Sequence, residues 1–274
     1  MNMWSSLSFL ALVGCAASPH KDTPANDPPD HNGPQLWMQV AGDGDPTVVF
    51  EAGGGEASSV WAKLEPDVRQ RIGVRTVLYD RAGLGKSEPA PGPYSIDDEA
   101  TALRNGLDRF GIRGPIVLVA HSYGGFVATL VAAGDPRVVG VVFVDANLPE
   151  FFDDAEVSHL QAQLAPRFAA LERSDPALAH VMIPLVRAYP ETVRRVRAAT
   201  FPPALPTIDI VAEHSWGETD GENAAMQRVH AAFVAASPAR EAVLATGSGH
   251  HVMRDRPDVV LDAIARIVQR SHAH

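Results

Sequence analysis

The stretch "VLVAHSYGGF" (117–126) decides how this chain is read. An apolar run ends at Ala120, Ser122 stands between His121 and Tyr123, and two glycines follow. The run "PIVLVAHS" (115–122) is continuous rather than alternating, which marks a strand covered on both faces. The next residues, "GGFVATLVAA" (124–133), read as a helix closed by Gly134. A serine on such a strand-to-helix turn is lifted clear of the sheet. The residues two positions away must then be small, and here they are Ala120 and Gly124. A serine before a helix also reads as a simple cap. The choice between cap and nucleophile therefore rests on what else the chain supplies.

Working outward, five further runs have the same apolar, β-branched character. They are "TVVFEAG" (47–53), "VRTVLYD" (74–80), "VVGVVFVD" (138–145), "TIDIVA" (207–212) and "EAVLAT" (241–246). "LWMQVAG" (36–42) precedes the Asp-Gly of "GDGDP" and is expected to form a hairpin with the first of these runs. Helical patterns lie between them, among them "DDEATALRNGLDRFG" (97–111) and "DVVLDAIARIVQR" (258–270). Both begin with acids, and they end in Gly or Arg, as helix termini prefer. Strands alternating with helices predict a mostly parallel sheet with helices on both faces. The interval 147–206 breaks this rhythm. Val157, Leu160, Leu164, Phe168 and Leu171 form one apolar stripe, and Leu178, Met182, Leu185 and Tyr189 form another. This is too long for a loop, so a helical cap inserted between two strands is expected at about 147–206.

A serine needs a base, and the base needs an acid to hold its tautomer. The base is sought in "GSGHHVMRDRP" (247–257), where a glycine-rich loop presents His250 after the last strand run, with His251 beside it. For the acid, Asp145 closes the strand run after the serine and Glu213 closes the one after that. Asp145 also reads as a turn residue before Asn147-Leu148-Pro149, and Asp209, inside a strand run, has no part in this scheme. "FEAGGGEASSVW" (50–61) supplies glycines whose backbone N–H groups can approach a ligand. Gly54 and the N–H of Tyr123 are the candidate oxyanion donors. The histidines show no H-E-x-x-H spacing, so neither metal nor organic cofactor is called for.

The ends of the chain carry a different message. The formal net charge of −10 argues against a nucleic-acid partner. Cys15, the lone cysteine, closes the apolar run of "SSLSFLALVGCAAS" (5–18), which is too short to span a bilayer. Leu12-Val13-Gly14-Cys15 resembles a bacterial lipobox, although "MNMW" lacks the usual positive residues; a disordered start or an ordinary cleaved signal is the alternative. The expected plan is a signal peptide at 1–14, lipid attachment at Cys15, a flexible linker at 15–35 rich in Pro, Asp and Asn, and a folded domain at 36–274. His20 and His31 fall in the linker and are expected to be solvated. Such a protein would be exported to the cell envelope and held at a membrane through Cys15.

Over about residues 36–270 the chain resembles the α/β-hydrolase superfamily. "VVFEAGGG" is similar to the oxyanion loop, with Ala52-Gly53 where His-Gly is frequent. "YDRAGLGKS" (79–87) looks like the Asp-x-Arg-Gly-x-Gly-x-Ser turn, taken as structural. "AHSYGG" resembles the nucleophile elbow and "GSGHHVMRDRPDVV" the histidine loop. The family's usual acid position falls on Ser215 of "PTIDIVAEHS", whereas some members carry the acid one strand earlier, which matches Asp145. The resemblance implies an α/β-hydrolase fold whose cap roofs the site. It also implies cleavage of a carboxylic ester or similar acyl bond in a small molecule by Ser122, His250 and Asp145. Amide, thioester or carbon–carbon cleavage, acyl transfer, and a non-catalytic binding lipoprotein remain open at this point.

Overall fold

The computed structural model describes residues 33–271 except residue 218. The expected signal peptide at 1–14, Cys15, and His20 and His31 of the expected linker lie outside the described residues. The chain begins with β1 (Met38–Ala41) and β2 (Thr47–Glu51), then α1 (Glu65–Ile72), β3 (Thr76–Tyr79), α2 (Ile96–Arg109) and β4 (Ile116–His121). It continues through α3 (Gly124–Gly134) and β5 (Val138–Val144) into α4 (Asp154–Leu164), α5 (Phe168–Ser174), α6 (Pro176–Arg187) and α7 (Tyr189–Arg197). It closes with β6 (Thr207–His214), α8 (Asp220–Ala235), β7 (Arg240–Gly249), α9 (Val252–Asp255) and α10 (Pro257–Ser271). Among the described residues, no helix is long and apolar enough to cross a membrane.

The strands form one sheet in the order β1-β3-β2-β4-β5-β6-β7. β1 runs antiparallel to β3, and every other neighbouring pair is parallel. The hairpin expected between 36–42 and the first long run therefore does not form. β2 is buried throughout and has β3 on one edge and β4 on the other, so no edge is left for β1. The half-exposed β1 takes the free edge of β3 instead.

The parallel strands read as unbroken apolar runs because helices cover both faces. Val48, Phe50, Val117, Val119, Val142, Val144, Ile208 and Ile210 pack with α1 and α10 through Val68, Val260, Ile264 and Ile267. On the opposite face α3 lies on β4 and β5, α2 packs against α3, and Phe233 of α8 meets Phe143 of β5. The helix ends follow local chemistry. Ser95 accepts the N–H of Asp98 to start α2, and Thr219 with Glu222 forms a capping box at α8. Between β5 and β6 the apolar stripe 157–171 is split into α4 and α5 by a 3-10 turn at Ala165–Arg167, where Pro166 stands.

Candidate active site

The sharpest local feature is backbone strain. Among the described residues, Ser122 (φ 52°) and Asp145 (φ 45°) are the two non-glycine residues with positive φ. For an L-residue that conformation costs about 1–3 kcal/mol and persists only where surroundings impose it. At Ser122 they do. The Ser122 carbonyl accepts from Gly125 N–H (2.9 Å) and from Asn147 N–H (2.8 Å), while its own N–H donates to Val144 O (3.4 Å). The turn is as tight as the small neighbours suggest: a Cβ on Gly124 would stand 2.5 Å from Glu51 Cγ and 2.7 Å from Ala52 O.

Asp145 lies just past the end of β5, held by its N–H donating to Ile210 O at 2.7 Å. Its carboxylate collects three donors. His250 Nδ1 is 2.6 Å from Oδ2, Ser215 Oγ donates to Oδ2 at 2.5 Å, and Ala212 N–H donates to Oδ1 at 3.0 Å. Burial alone would raise the Asp145 carboxyl, but these hydrogen bonds, His250 first, hold it below its ordinary value. The carboxylate accepts, so Nδ1 of His250 carries the proton and Nε2 is left as the basic nitrogen. His250 is buried and adjoins the strand that leads into Ser122: its carbonyl meets His121 Nε2 at 3.1 Å, and the two rings lie 4.5 Å apart. Ser122 itself is buried.

The glycine loop after β2 closes over the same place. A Cβ on Gly54 would lie 3.5 Å from Tyr123 Cβ, so these two backbones are neighbours. Tyr123 precedes the first turn of α3, where backbone N–H groups lack helical partners. Its ring is fixed by Tyr94, hydroxyl to hydroxyl at 2.5 Å, and by Tyr189 at 5.7 Å; burial pushes the phenol well above its ordinary value. From the insertion, α6 sits above the loop. A Cβ on Gly55 would meet Met182 Sδ at 2.8 Å and Leu178 Cδ1 at 3.4 Å. α7 is tied to the turn as well, because Asn147, whose N–H bonds the Ser122 carbonyl, donates through Nδ2 to Tyr189 Oη at 2.7 Å.

The family of the chain follows from comparison with known proteins. The model of a family described as "Alpha/beta hydrolase family" matches residues 48–263. The chain belongs to the alpha/beta hydrolase family. It is 26% identical over 224 residues to the uncharacterized protein YqjL of Bacillus subtilis, covering 80% of this chain and 81% of that one. It is also 35% identical over 109 residues to 2-hydroxy-6-oxononadienedioate/2-hydroxy-6-oxononatrienedioate hydrolase 2 of Pseudomonas putida, which is 39% of this chain and 38% of that enzyme's length. A solved thermophilic esterase from Thermogutta terrifontis shares the fold, with a TM-score of 0.58 at 21% identity, covering 86% of this chain and 94% of that one.

Within this hydrolase fold the structure pairs His250 with Asp145, sets the ring of His121, the residue before Ser122, against His250, and places Gly54 beside Tyr123. It does not bring Glu213 to His250; that carboxylate accepts the N–H of Gly247 at 2.5 Å instead. Three contributions escaped the sequence reading. Ser215, at the family's usual acid position, serves the acid one strand away through its hydroxyl. Arg81, in the turn read as structural, donates to Gly53 O (2.6 Å) and Ala52 O (3.2 Å) while pairing with Glu51 at 3.1 Å. It thereby turns the Gly53–Gly54 peptide so that the Gly54 N–H points away from the guanidinium, since C=O and N–H oppose one another in a trans peptide. Glu56 bonds both His121 and His251, and against its burial these two hold its carboxyl below the usual range. The sequence signal for Arg81 was its place in "YDRAGLGKS"; for Glu56 there was none, because its partners lie 65 and 195 residues away.

Proposed function

We propose that the chain is a serine hydrolase that cleaves a carboxylic ester or similar acyl bond through Ser122, His250 and Asp145. The observation that carries this reading is the 2.6 Å bond between His250 Nδ1 and Asp145 Oδ2, formed next to a serine whose backbone is strained. With its Nδ1 proton committed to Asp145, His250 presents Nε2 to take the proton of Ser122. The serine oxygen then bonds to the carbonyl carbon, and the carbonyl oxygen takes the negative charge. The N–H groups of Gly54 and Tyr123 stabilise that oxyanion, a contribution worth about 3–4 kcal/mol per donor. Collapse breaks the bond to the leaving alcohol, which receives the proton from His250. Water, deprotonated by the same imidazole, releases the acid and restores Ser122.

The insertion 147–206 acts as the cap over this site, with Leu178 and Met182 giving the roof above the glycine loop an apolar lining. This favours small-molecule esters with an apolar acyl or alcohol part. At the N-terminus the Leu12-Val13-Gly14-Cys15 tetrad supports export and a lipid anchor at Cys15, tested by loss of labelled fatty-acid incorporation in Cys15→Ser.

Hydrolysis of short and long nitrophenyl esters tests the chemistry. The parent is expected to turn over at least one of them, and Ser122→Ala to lose about three or more orders of magnitude in kcat. Turnover that survives Ser122→Ala would remove the serine from the mechanism.

A further inference from the structure

Beside the proposed catalytic group lies a second cluster that ester hydrolysis does not use. Glu56 comes from the glycine loop, His121 ends β4, and His251 follows His250. Glu56 Oε2 is 3.0 Å from His121 Nδ1, and Glu56 Oε1 is 2.8 Å from His251 Nε2. One donor atom of each residue lies within 4.8 Å of the other two. His121 is buried, whereas the side chains of Glu56 and His251 are 21% and 31% exposed, so the cluster opens to solvent on one side.

His121 is already oriented as a ligand would be. Its Nε2 faces the carbonyl oxygen of His250 at 3.1 Å, and a carbonyl only accepts. With the Nε2 proton given to that carbonyl, Nδ1 faces the Glu56 carboxylate at 3.0 Å, a contact that either a second ring proton or a cation in that proton's place completes. A backbone carbonyl on the far nitrogen is how metal-binding histidines are commonly fixed.

We propose that Glu56, His121 Nδ1 and His251 Nε2 form a binding site for a divalent transition-metal ion of the zinc class. Two imidazole nitrogens and one carboxylate suit zinc, cobalt or nickel, whereas calcium and magnesium take oxygen donors. Three protein ligands leave a fourth position on the exposed side for water. Tetrahedral bonds of about 2.0–2.1 Å set donors roughly 3.3 Å apart, a spacing that donors already within 4.8 Å of one another reach by moving the two partly exposed side chains. Arg254, 55% exposed and 3.8 Å from Glu56 Oε1, is the competing cation that an ion displaces. The ligands come from the three segments that carry Gly54, Ser122 and His250. An ion here would fasten those segments together, and because it binds only the folded chain it would raise Tm.

The test uses the full chain, stripped with a chelator and titrated with cobalt(II) and then zinc(II). The expected result is visible tetrahedral cobalt absorption saturating at one ion per chain, its replacement by zinc, and a rise in Tm. Glu56→Gln and His251→Ala are each expected to abolish the absorption and the rise, which separates this site from the chain's other histidines and from Cys15. Arg254→Ala is expected to bind more tightly. Absence of the absorption in the parent would overturn the site. So would a signal that survives both ligand substitutions, or weaker binding in Arg254→Ala. The readout is binding, so it stands or falls separately from the role of Ser122.

Discussion

Two buried acid–histidine pairs lie on adjacent strands of this sheet, and they differ in nearly everything but composition. Asp209 sits within β6, fully buried, with both carboxylate oxygens on His230 Nδ1 at 3.0 and 2.8 Å. Asp145 sits past the end of β5 in a left-handed backbone, sharing its oxygens among His250, Ser215 and Ala212. Burial would lower the His230 imidazole, yet Asp209 raises it above its ordinary value, so the contact between sheet and helix α8 favours the ion-paired form. The Asp145 pair lies at the carboxyl ends of the strands, where open parallel sheets collect their sites, and beside a strained serine. A buried acid–histidine contact is thus no mark of chemistry by itself. Position at the strand end and imposed strain make the distinction.

The largest effects should separate the two pairs cleanly. Asp145→Asn is expected to lower kcat on a nitrophenyl ester by about four orders of magnitude, since an amide no longer holds the imidazole in its working tautomer. Asp209→Asn is expected to leave kcat within a few-fold while costing about 3–5 kcal/mol of stability, the usual result of breaking a buried pair. Urea unfolding beside steady-state rates checks both. An Asp209→Asn protein that is stable but inactive would erase the contrast.

A second test uses pH. Because the folded-state pKa of His230 is raised, the stability from its imidazolium is complete below its ordinary value of 6.5 and fades as pH rises through the elevated one. Asp145 has the opposite sign: its depressed carboxyl contributes above its ordinary value of 3.8, and that contribution is lost as pH falls through the folded value. Unfolding free energies across pH 4 to 9 should therefore lose their alkaline decline in Asp209→Asn and keep it in Asp145→Asn.

The smallest effect concerns Ser215. Its hydroxyl bonds a charged acceptor, so Ser215→Ala should cost about tenfold in kcat, corresponding to about 1.5 kcal/mol, while Glu213→Gln should change kcat less than twofold. A larger loss in Glu213→Gln than in Ser215→Ala would return the acid to β6.

Much of this was readable along the chain, and what was not has a physical reason. The buried strands were legible because a two-sided sheet leaves continuous apolar runs, and the elbow because its backbone admits only Ala120 and Gly124 beside the serine. The order Ser122, Asp145, His250 puts the candidates just past the ends of β4, β5 and β7. β1 was misassigned because a local turn signal says nothing about which strand edges are already occupied. Asp209 stood unexplained in a strand run because its partner, His230, lies on the far side of a connection and a helix. Arg81 is marked by its place in "YDRAGLGKS" while the backbone carbonyls it serves are not, and Glu56 gathers side chains from distant segments, which leaves no spacing to read.

The most direct test of the central claim is reaction of the full chain with a fluorophosphonate, followed by mass mapping of the adduct. The account predicts one adduct per chain on Ser122, absent in Ser122→Ala and strongly slowed in Asp145→Asn. No adduct on the folded parent, or an adduct on another residue, would contradict it.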